Sequence, residues 1–486
     1  MTTQRMSNAD AAWLHMDRPT NLMVVNALMW FDEPLDVDRA TEIVRERLVE
    51  RFPRFRRRIV EPRLGIGVPS WQDDPGCDLD LHLHRLALPA PGDRAALQAL
   101  VEDLMVVPLD RSKPLWHMYI IEGYGQGTAV LSRMHHCIAD GIALTRVLLS
   151  LTDEQADAGL APREEPHAGG RTDALLAPVR VGAHAAEAAL HEGFELAVHP
   201  RSELPGLLGR FAADGQALAK LLLTAPDAET VFSGELGVAR RVSWTDRIEL
   251  EVVKAIGSAT GTTVNDVLLA AVSGALHRYM AAKGDEAEEI RAMVPFNLRP
   301  LDQPLPRELG NRFGLVYLTL PVGPATAAER LSDVHERMDG IKHSPEGLLS
   351  YAILGVIGST PVPVEQRLID VFTPKTTAVM TNVPGPRQPI YFAGSKVSGI
   401  LGWVPASGGI GMGVSIFSYD GGVTIGLQVD PRLVPDPETI IAAIGEELAA
   451  LTPQRPRRRK PPERKARASA SSGSARSPRN GHQRLR

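Results

Sequence analysis

The stretch that most constrains this chain runs from Trp116 to Leu149. Two apolar runs, 116–123 and 128–134, flank a Gly-rich break at 124–127, and that arrangement reads as a β-hairpin. The second run ends in Met134-His135-His136-Cys137-Ile138-Ala139-Asp140-Gly141, and residues 142–149 then follow a helix-like apolar pattern. Side chains on a strand alternate between faces, so His135 and His136 cannot share one cavity unless the strand breaks between them. One histidine should do chemistry while the other packs. Asp140 and Gly141 fall at the strand-to-helix corner, where a carboxylate caps the helix or pairs with an arginine.

At 486 residues the chain suits two domains of about 150–200 residues each. A hydrophobic content of 44% supports a sizeable core, and 43 Gly with 38 Pro imply many turns. The formal charge of −5 hides an asymmetry, because residues 452–486 hold twelve Lys/Arg against the single acid Glu463. That tail carries about +11 and the rest about −16. Cys77 and Cys137 cannot make a disulfide framework, which points to a reducing cytoplasm. Met1–Asp10 has no apolar signal region, and no run reaches the roughly 18 apolar residues of a membrane span. Work on lipid would proceed from a membrane surface.

Along the chain, 6–14 reads as a capped helix, Pro19-Thr20-Asn21 as a turn, 22–31 as a strand and 36–51 as a helix capped by Asp36. The basic cluster at 52–58 reads as a solvated face or as a site for the phosphates of a ligand. Residues 71–83 suggest a strand that puts His82 and His84 on one face, but no third ligand follows at a familiar spacing, so no metal is expected. A helix at 93–105 leads through Pro114-Leu115-Trp116 to the hairpin.

Residues 153–240 read as an interdomain connection, with an apolar stripe from Leu204 to Leu222 suited to packing or to a membrane surface. A second domain then spans 241–451. It holds a helix that opens near Gly261 with Asn265 and Asp266 at its positive end, and Asn265 reads as helping to cap it. A strand at 293–300 delivers Arg299, a strand from Thr376 runs into the Asn382-Val383-Pro384-Gly385-Pro386 turn, and 438–451 form a last helix. The first domain is 1–152, and the basic tail 452–486 should be disordered.

The segment His-His-x-x-x-Asp-Gly between strand and helix resembles the active-site signature of acyl-CoA-dependent acyltransferases that share the chloramphenicol acetyltransferase and condensation-domain fold. Four stretches resemble the bacterial wax ester synthase/diacylglycerol acyltransferase family in order: the Met-Ser-x-x-Asp helix with its Pro-Thr-Asn turn, Pro-Leu-Trp with the histidine motif, Asn-Asp, and Asn-Val-Pro-Gly-Pro. The resemblance implies an α/β fold of two chloramphenicol acetyltransferase-like domains, with mixed sheets flanked by helices and a tunnel between them. It implies an O-acyltransferase that moves a long-chain acyl group from CoA to diacylglycerol, or to fatty alcohols to give wax esters. His136 would be the general base and His135 would orient. Asp140 would hold the corner through an arginine, with Arg299 the candidate, and a side chain at Gly141 would crowd the channel or the turn. Asn265 and Asp266 would be structural or support activity, and Pro114, Leu115 and Trp116 would pack the strand start. Acyl-CoA is expected as substrate with no cofactor, on a membrane or lipid-droplet surface, with no specific nucleic acid.

A single imidazole suffices for such chemistry because its pKa lies near neutrality, so it can take a hydroxyl proton and return it to the leaving thiolate. Cys137 is poorly placed to act as a nucleophile with His136, since adjacent strand residues face opposite ways. The oxyanion needs a donor, either Asn265 or a backbone N–H. Alternatives are a carrier-bound acyl donor, a lipid-binding protein without turnover, and a zinc hydrolase using His135, His136 and Asp140. The tail suits an electrostatic membrane tether, a solubilising extension or nucleic-acid contact.

Overall fold

The computed structural model describes residues 3–62, 67–160, 224–299, 303–342 and 373–452, with isolated positions between 347 and 370. Most of the interdomain connection, including the Leu204–Leu222 stripe, lies outside the described residues, as does the tail from Pro453. Everything below concerns the unit that ends at Thr452.

Local signals place the first elements. Ser7 caps α1 (Asn8–His15) by accepting from the Asp10 N–H, and Asp36 caps α2 (Val37–Ile43), which continues as a π-helical turn over Val44–Glu50. Strand β1 (Val24–Phe31) pairs antiparallel with β4 (Gly127–His135), which pairs antiparallel with its hairpin partner β3 (Trp116–Tyr124). Strand β2 (Leu83–Ala87) runs parallel to β3 on the outside. Between them α3 (Arg94–Met105) is capped by Asp93, and after the hairpin α4 (Gly141–Leu149) is capped by Asp140. Residues 71–83 are not one strand: Ser70–Asp73 is extended, Leu79–Leu81 is a 3-10 turn, and β2 begins only at Leu83.

The second sheet gathers β5 (Arg241–Trp244), β6 (Ile248–Glu249), β7 (Glu289–Asn297), β8 (Phe313–Pro321) and β9 (Ala378–Pro384). Strand β10 (Gly399–Trp403) leaves it and joins the first sheet beside β1, giving the order β10-β1-β4-β3-β2. The chain returns with β11 (Met412–Tyr419) and β12 (Gly422–Val429), and the second sheet runs β8-β7-β9-β11-β12-β5, with β6 also on β12. Five residues of the region expected to form the second domain thus complete the first sheet. Gly399 permits this crossover. A Cβ there would stand 1.9 Å from the Trp30 ring, so only glycine lets the indole lie over the backbone.

Helices α5 (Leu250–Thr260), α6 (Val264–Ala282), α7 (Ala327–Lys342) and α8 (Pro437–Leu451) cover the second sheet. Helix α6 is apolar on most sides and packs in the second core with Ile290, Leu318 and Ile444. Among the described residues no helix is long and apolar enough to cross a membrane.

Candidate active site

Strand β4 ends at His135, and the break falls where the two histidines must part. The His135 N–H donates to the Leu115 carbonyl at 3.0 Å, whereas the His136 N–H turns to Met23 O at 2.7 Å. His135 faces Asp17, with Nε2 at 3.7 Å from Oδ2, and its Nδ1 accepts from the Cys137 N–H at 3.1 Å. Burial opposes the Asp17 charge, but the neighbouring His135, the Met23 N–H that donates to its Oδ1 at 2.7 Å and Arg111 outweigh it and hold that carboxyl below its usual range. The His136 ring lies instead against Trp13, with centroids 4.1 Å apart and planes at 22°, and against Phe313 at 5.5 Å.

His136 is 4% exposed. Burial pushes its pKa down to about 4, against an opposing pull from Asp140, so the ring is unprotonated near neutrality and has a free nitrogen to accept a proton. Cys137 is fully buried, and burial raises its thiol well above the ordinary value, so it stays protonated and apolar.

Asp140 both caps and pairs. Its Oδ1 accepts from the Ala143 N–H at 2.8 Å, while Oδ2 meets Arg299 Nη2 at 3.1 Å and the Arg312 N–H at 3.0 Å. Arg299 also donates to the Gly310 carbonyl at 2.6 Å. The segment 310–312, just before β8, is thereby fastened to the strand-to-helix corner. Both groups are nearly buried, and removing either would strand the other's charge.

The basic cluster at 52–58 is neither a free solvated face nor an open phosphate site. Arg54 is 5% exposed and pairs with the fully buried Asp10 at 3.0 Å. Its Nη1 also donates to Cys137 O at 3.2 Å and Ile138 O at 2.8 Å. Arg57 meets Asp73 and Glu308, Arg56 holds the Val49 and Glu50 carbonyls, and Arg58 meets Gln72. Asn311 completes the support, with Nδ2 at 2.8 Å from Asp10 Oδ1 and 2.9 Å from His136 O. The carbonyls of His136, Cys137 and Ile138 therefore each accept from a buried side chain. Asp10, Arg54 and Asn311 were missed as site residues. The available signal was Asp10 itself, a carboxylate inside the apolar run Ala9–Leu14, which must find a buried cation.

The other candidates divide. Leu115 and Trp116 are buried beside the motif, and Trp116 stacks on His82 while its Nε1 donates to the Phe55 carbonyl. Pro114 adds a carbonyl that accepts from the Trp116 N–H. Asn265 does not cap its helix: Thr263 does, in a capping box with Asp266. Asn265 Oδ1 instead accepts from Asn382 at 2.7 Å, joining the Asn-Asp pair to the Asn-Val-Pro-Gly-Pro strand, and Asp266 meets His335 at 2.7 Å. Neither hydrogen-bonds to the segment 135–141. Gly141 is not in the left-handed region, and an added Cβ would meet Val404 at an ordinary 3.5 Å, so the turn does not demand glycine. His82 and His84 do not converge, because His82 holds the Trp116 carbonyl and His84 meets His117 at 2.9 Å. No three His, Cys, Asp or Glu side chains among the described residues form a metal-binding group.

An apolar cavity lies between the sheets, lined by Met134 and Gly141 on either side of the His136 segment and by Leu148, Val383, Gly402 and Phe417. A buried histidine at a hairpin end, a locked Asp–Arg corner and an apolar inter-sheet cavity thus sit together in two mixed sheets, a fold that solved structures share. The Marinobacter aquaeolei wax ester synthase/diacylglycerol acyltransferase has this fold, with a TM-score of 0.66 at 23% identity over 92% of this chain and 98% of that one. The first condensation domain of the calcium-dependent antibiotic synthetase gives 0.60 at 16% identity over 93% and 96%.

Residues 6–268 match the wax ester synthase/diacylglycerol acyltransferase catalytic domain and 309–452 match the WS/DGAT C-terminal domain, so the chain belongs to that family and is an O-acyltransferase. Two Mycobacterium tuberculosis relatives carry the names probable diacyglycerol O-acyltransferase tgs1 and tgs2. The first is 27% identical over 82% of this chain and 84% of its own, and the second 28% identical over 91% and 97%.

Proposed function

We propose that this acyltransferase transfers a long-chain acyl group from coenzyme A to the hydroxyl of diacylglycerol, forming triacylglycerol, and that fatty alcohols serve as second acceptors to give wax esters. The observation that carries the reading is a buried neutral His136 whose segment runs beside an almost wholly apolar cavity between the sheets. An apolar lining of this kind favours an acyl chain over a polar ligand, since each methylene removed from water contributes about 0.8 kcal/mol.

In the reaction His136 Nε2 takes the acceptor's hydroxyl proton as the oxygen attacks the thioester carbonyl. The C–S bond then breaks and the proton returns to the leaving thiolate. No covalent acyl-enzyme forms, in keeping with the raised thiol of Cys137. The family names of tgs1 and tgs2 support diacylglycerol as acceptor. We place the enzyme at a membrane or lipid-droplet surface, where both substrates reside.

The test is free CoA release from palmitoyl-CoA with diacylglycerol or hexadecanol offered separately, for the natural chain and His136→Ala. Turnover that falls by about 10²–10⁴-fold in the variant supports the base. Release that persists unchanged moves the chemistry elsewhere, and no release from either chain favours a carrier-bound donor.

A further inference from the structure

The Asn311 carboxamide has a fixed orientation. Its Nδ2 serves two acceptors, Asp10 Oδ1 at 2.8 Å and the His136 carbonyl at 2.9 Å, and the Asn311 N–H adds a third bond to Asp10 at 3.0 Å. A flipped amide would set its oxygen against the Asp10 oxygen and the His136 carbonyl oxygen, two acceptors with nothing to donate. The oxygen Oδ1 is therefore committed to the other side, where it is buried and accepts from no group among the described residues. His136 Nδ1 is in the same condition, buried with no hydrogen-bond partner. Asp140, the backbone of His136 itself and then this carboxamide favour a proton on the His136 ring.

Two buried atoms, one an acceptor and one able to carry a proton, thus lie on side chains already joined through the His136 carbonyl. Leaving both unpaired forfeits the hydrogen bonds each would make in water. Catalytic hydrogen bonds of this kind tighten when substrate fills the site. We propose that Asn311 is a positioning residue: its Oδ1 accepts the Nδ1 proton of His136, which fixes the tautomer and leaves Nε2 unprotonated towards the acceptor alcohol. The Asp10–Arg54 pair acts one step further out by holding the Asn311 amide, so a carboxylate and a guanidinium set the tautomer without touching the ring. This builds on His136 as the base, but the tautomer is measured independently of turnover.

The experiment is ring ¹⁵N NMR of the full chain labelled at histidine, with the His136 signals assigned by their loss in His136→Gln. The expected result is a proton on Nδ1 and none on Nε2 in the natural chain. In Asn311→Leu the proton redistributes towards Nε2, and kcat falls by roughly 10²–10⁴-fold with KM for acyl-CoA little changed. Asn311→Ser, whose hydroxyl can both accept and donate, restores part of the Nδ1–H population. An Nε2–H tautomer in the natural chain overturns the proposal with no variant needed. So does an unchanged Nδ1–H tautomer in folded Asn311→Leu, which would assign the proton to His136's own carbonyl. Should the tautomer shift while His136→Ala keeps full turnover, Asn311 stands and the general-base reading falls.

Discussion

Arg54→Met tests the supporting shell against the reading of 52–58 as a coenzyme A phosphate site. Met keeps the stem volume and removes the guanidinium. Asp10, fully buried, retains its two bonds from Asn311 but loses its cation, and Ile138 O and Cys137 O lose their donor. Breaking one side of a buried pair costs about 3–5 kcal/mol. At about 2.1 cal/mol/K of unfolding entropy per residue, a unit of roughly 450 residues shifts its Tm by about 3–5 °C for that loss. Slackening of the His136 segment should lower kcat by about 10–100-fold, since a misplacement of about 1 Å costs rate on that scale. Thermal unfolding and CoA-release kinetics are measured on Arg54→Met, Asp10→Asn and the double variant. The double variant should be less damaged than the two losses summed, because its charges leave together. An unchanged Tm with only a raised KM for palmitoyl-CoA would refute the shell and return Arg54 to the phosphates.

The same geometry sets the pH dependence and the tolerance at Gly141. Because burial lowers the His136 pKa to about 4, kcat/KM should stay flat from about pH 8 to about pH 5.5, where an ordinary imidazole of pKa about 6.5 would lose about tenfold; an acid limb near 6.5 would refute the buried-ring account. In the unfolded chain that ring binds its proton near pH 6.5 but in the folded chain only near 4, so about 3 kcal/mol of stability is lost as pH falls through that window, measurable by denaturant titration. Gly141→Ala should fold at least as stably and keep most activity, since its Cβ meets Val404 at 3.5 Å and alanine suits a helix better. Gly141→Val, by contrast, should depress rates with long acyl chains more than with short ones, read from CoA release across chain lengths; equal rates would place the chain elsewhere.

Much of the frame follows from neighbours in sequence. The hairpin, the break after His135 and the caps Ser7, Asp36, Asp93, Asp140 and Thr263 each depend on residues a few positions apart, so spacing and residue type determine them. The Arg299 contact with Asp140 joins residues 159 apart, and it was legible only because the family resemblance supplied an arginine to look for. The Asn265 contact was not legible, since a cap position and a cross-strand partner in Asn382 look alike along the chain.

What only the tertiary structure decided is where charges in the sequence come to rest. Arg54 sits in a run of arginines that composition marks as solvated, yet it reaches Ile138, 84 residues away, and Asp10 reaches Asn311 across 301. The crossing of Gly399–Trp403 into the first sheet likewise depends on Trp30 and Asn26, far behind it in the chain. Local spacing carries backbone geometry because hydrogen bonds within a turn or cap close over three or four residues. Burial is a property of the whole packed body, and a buried charge is tolerated only where distant partners assemble around it.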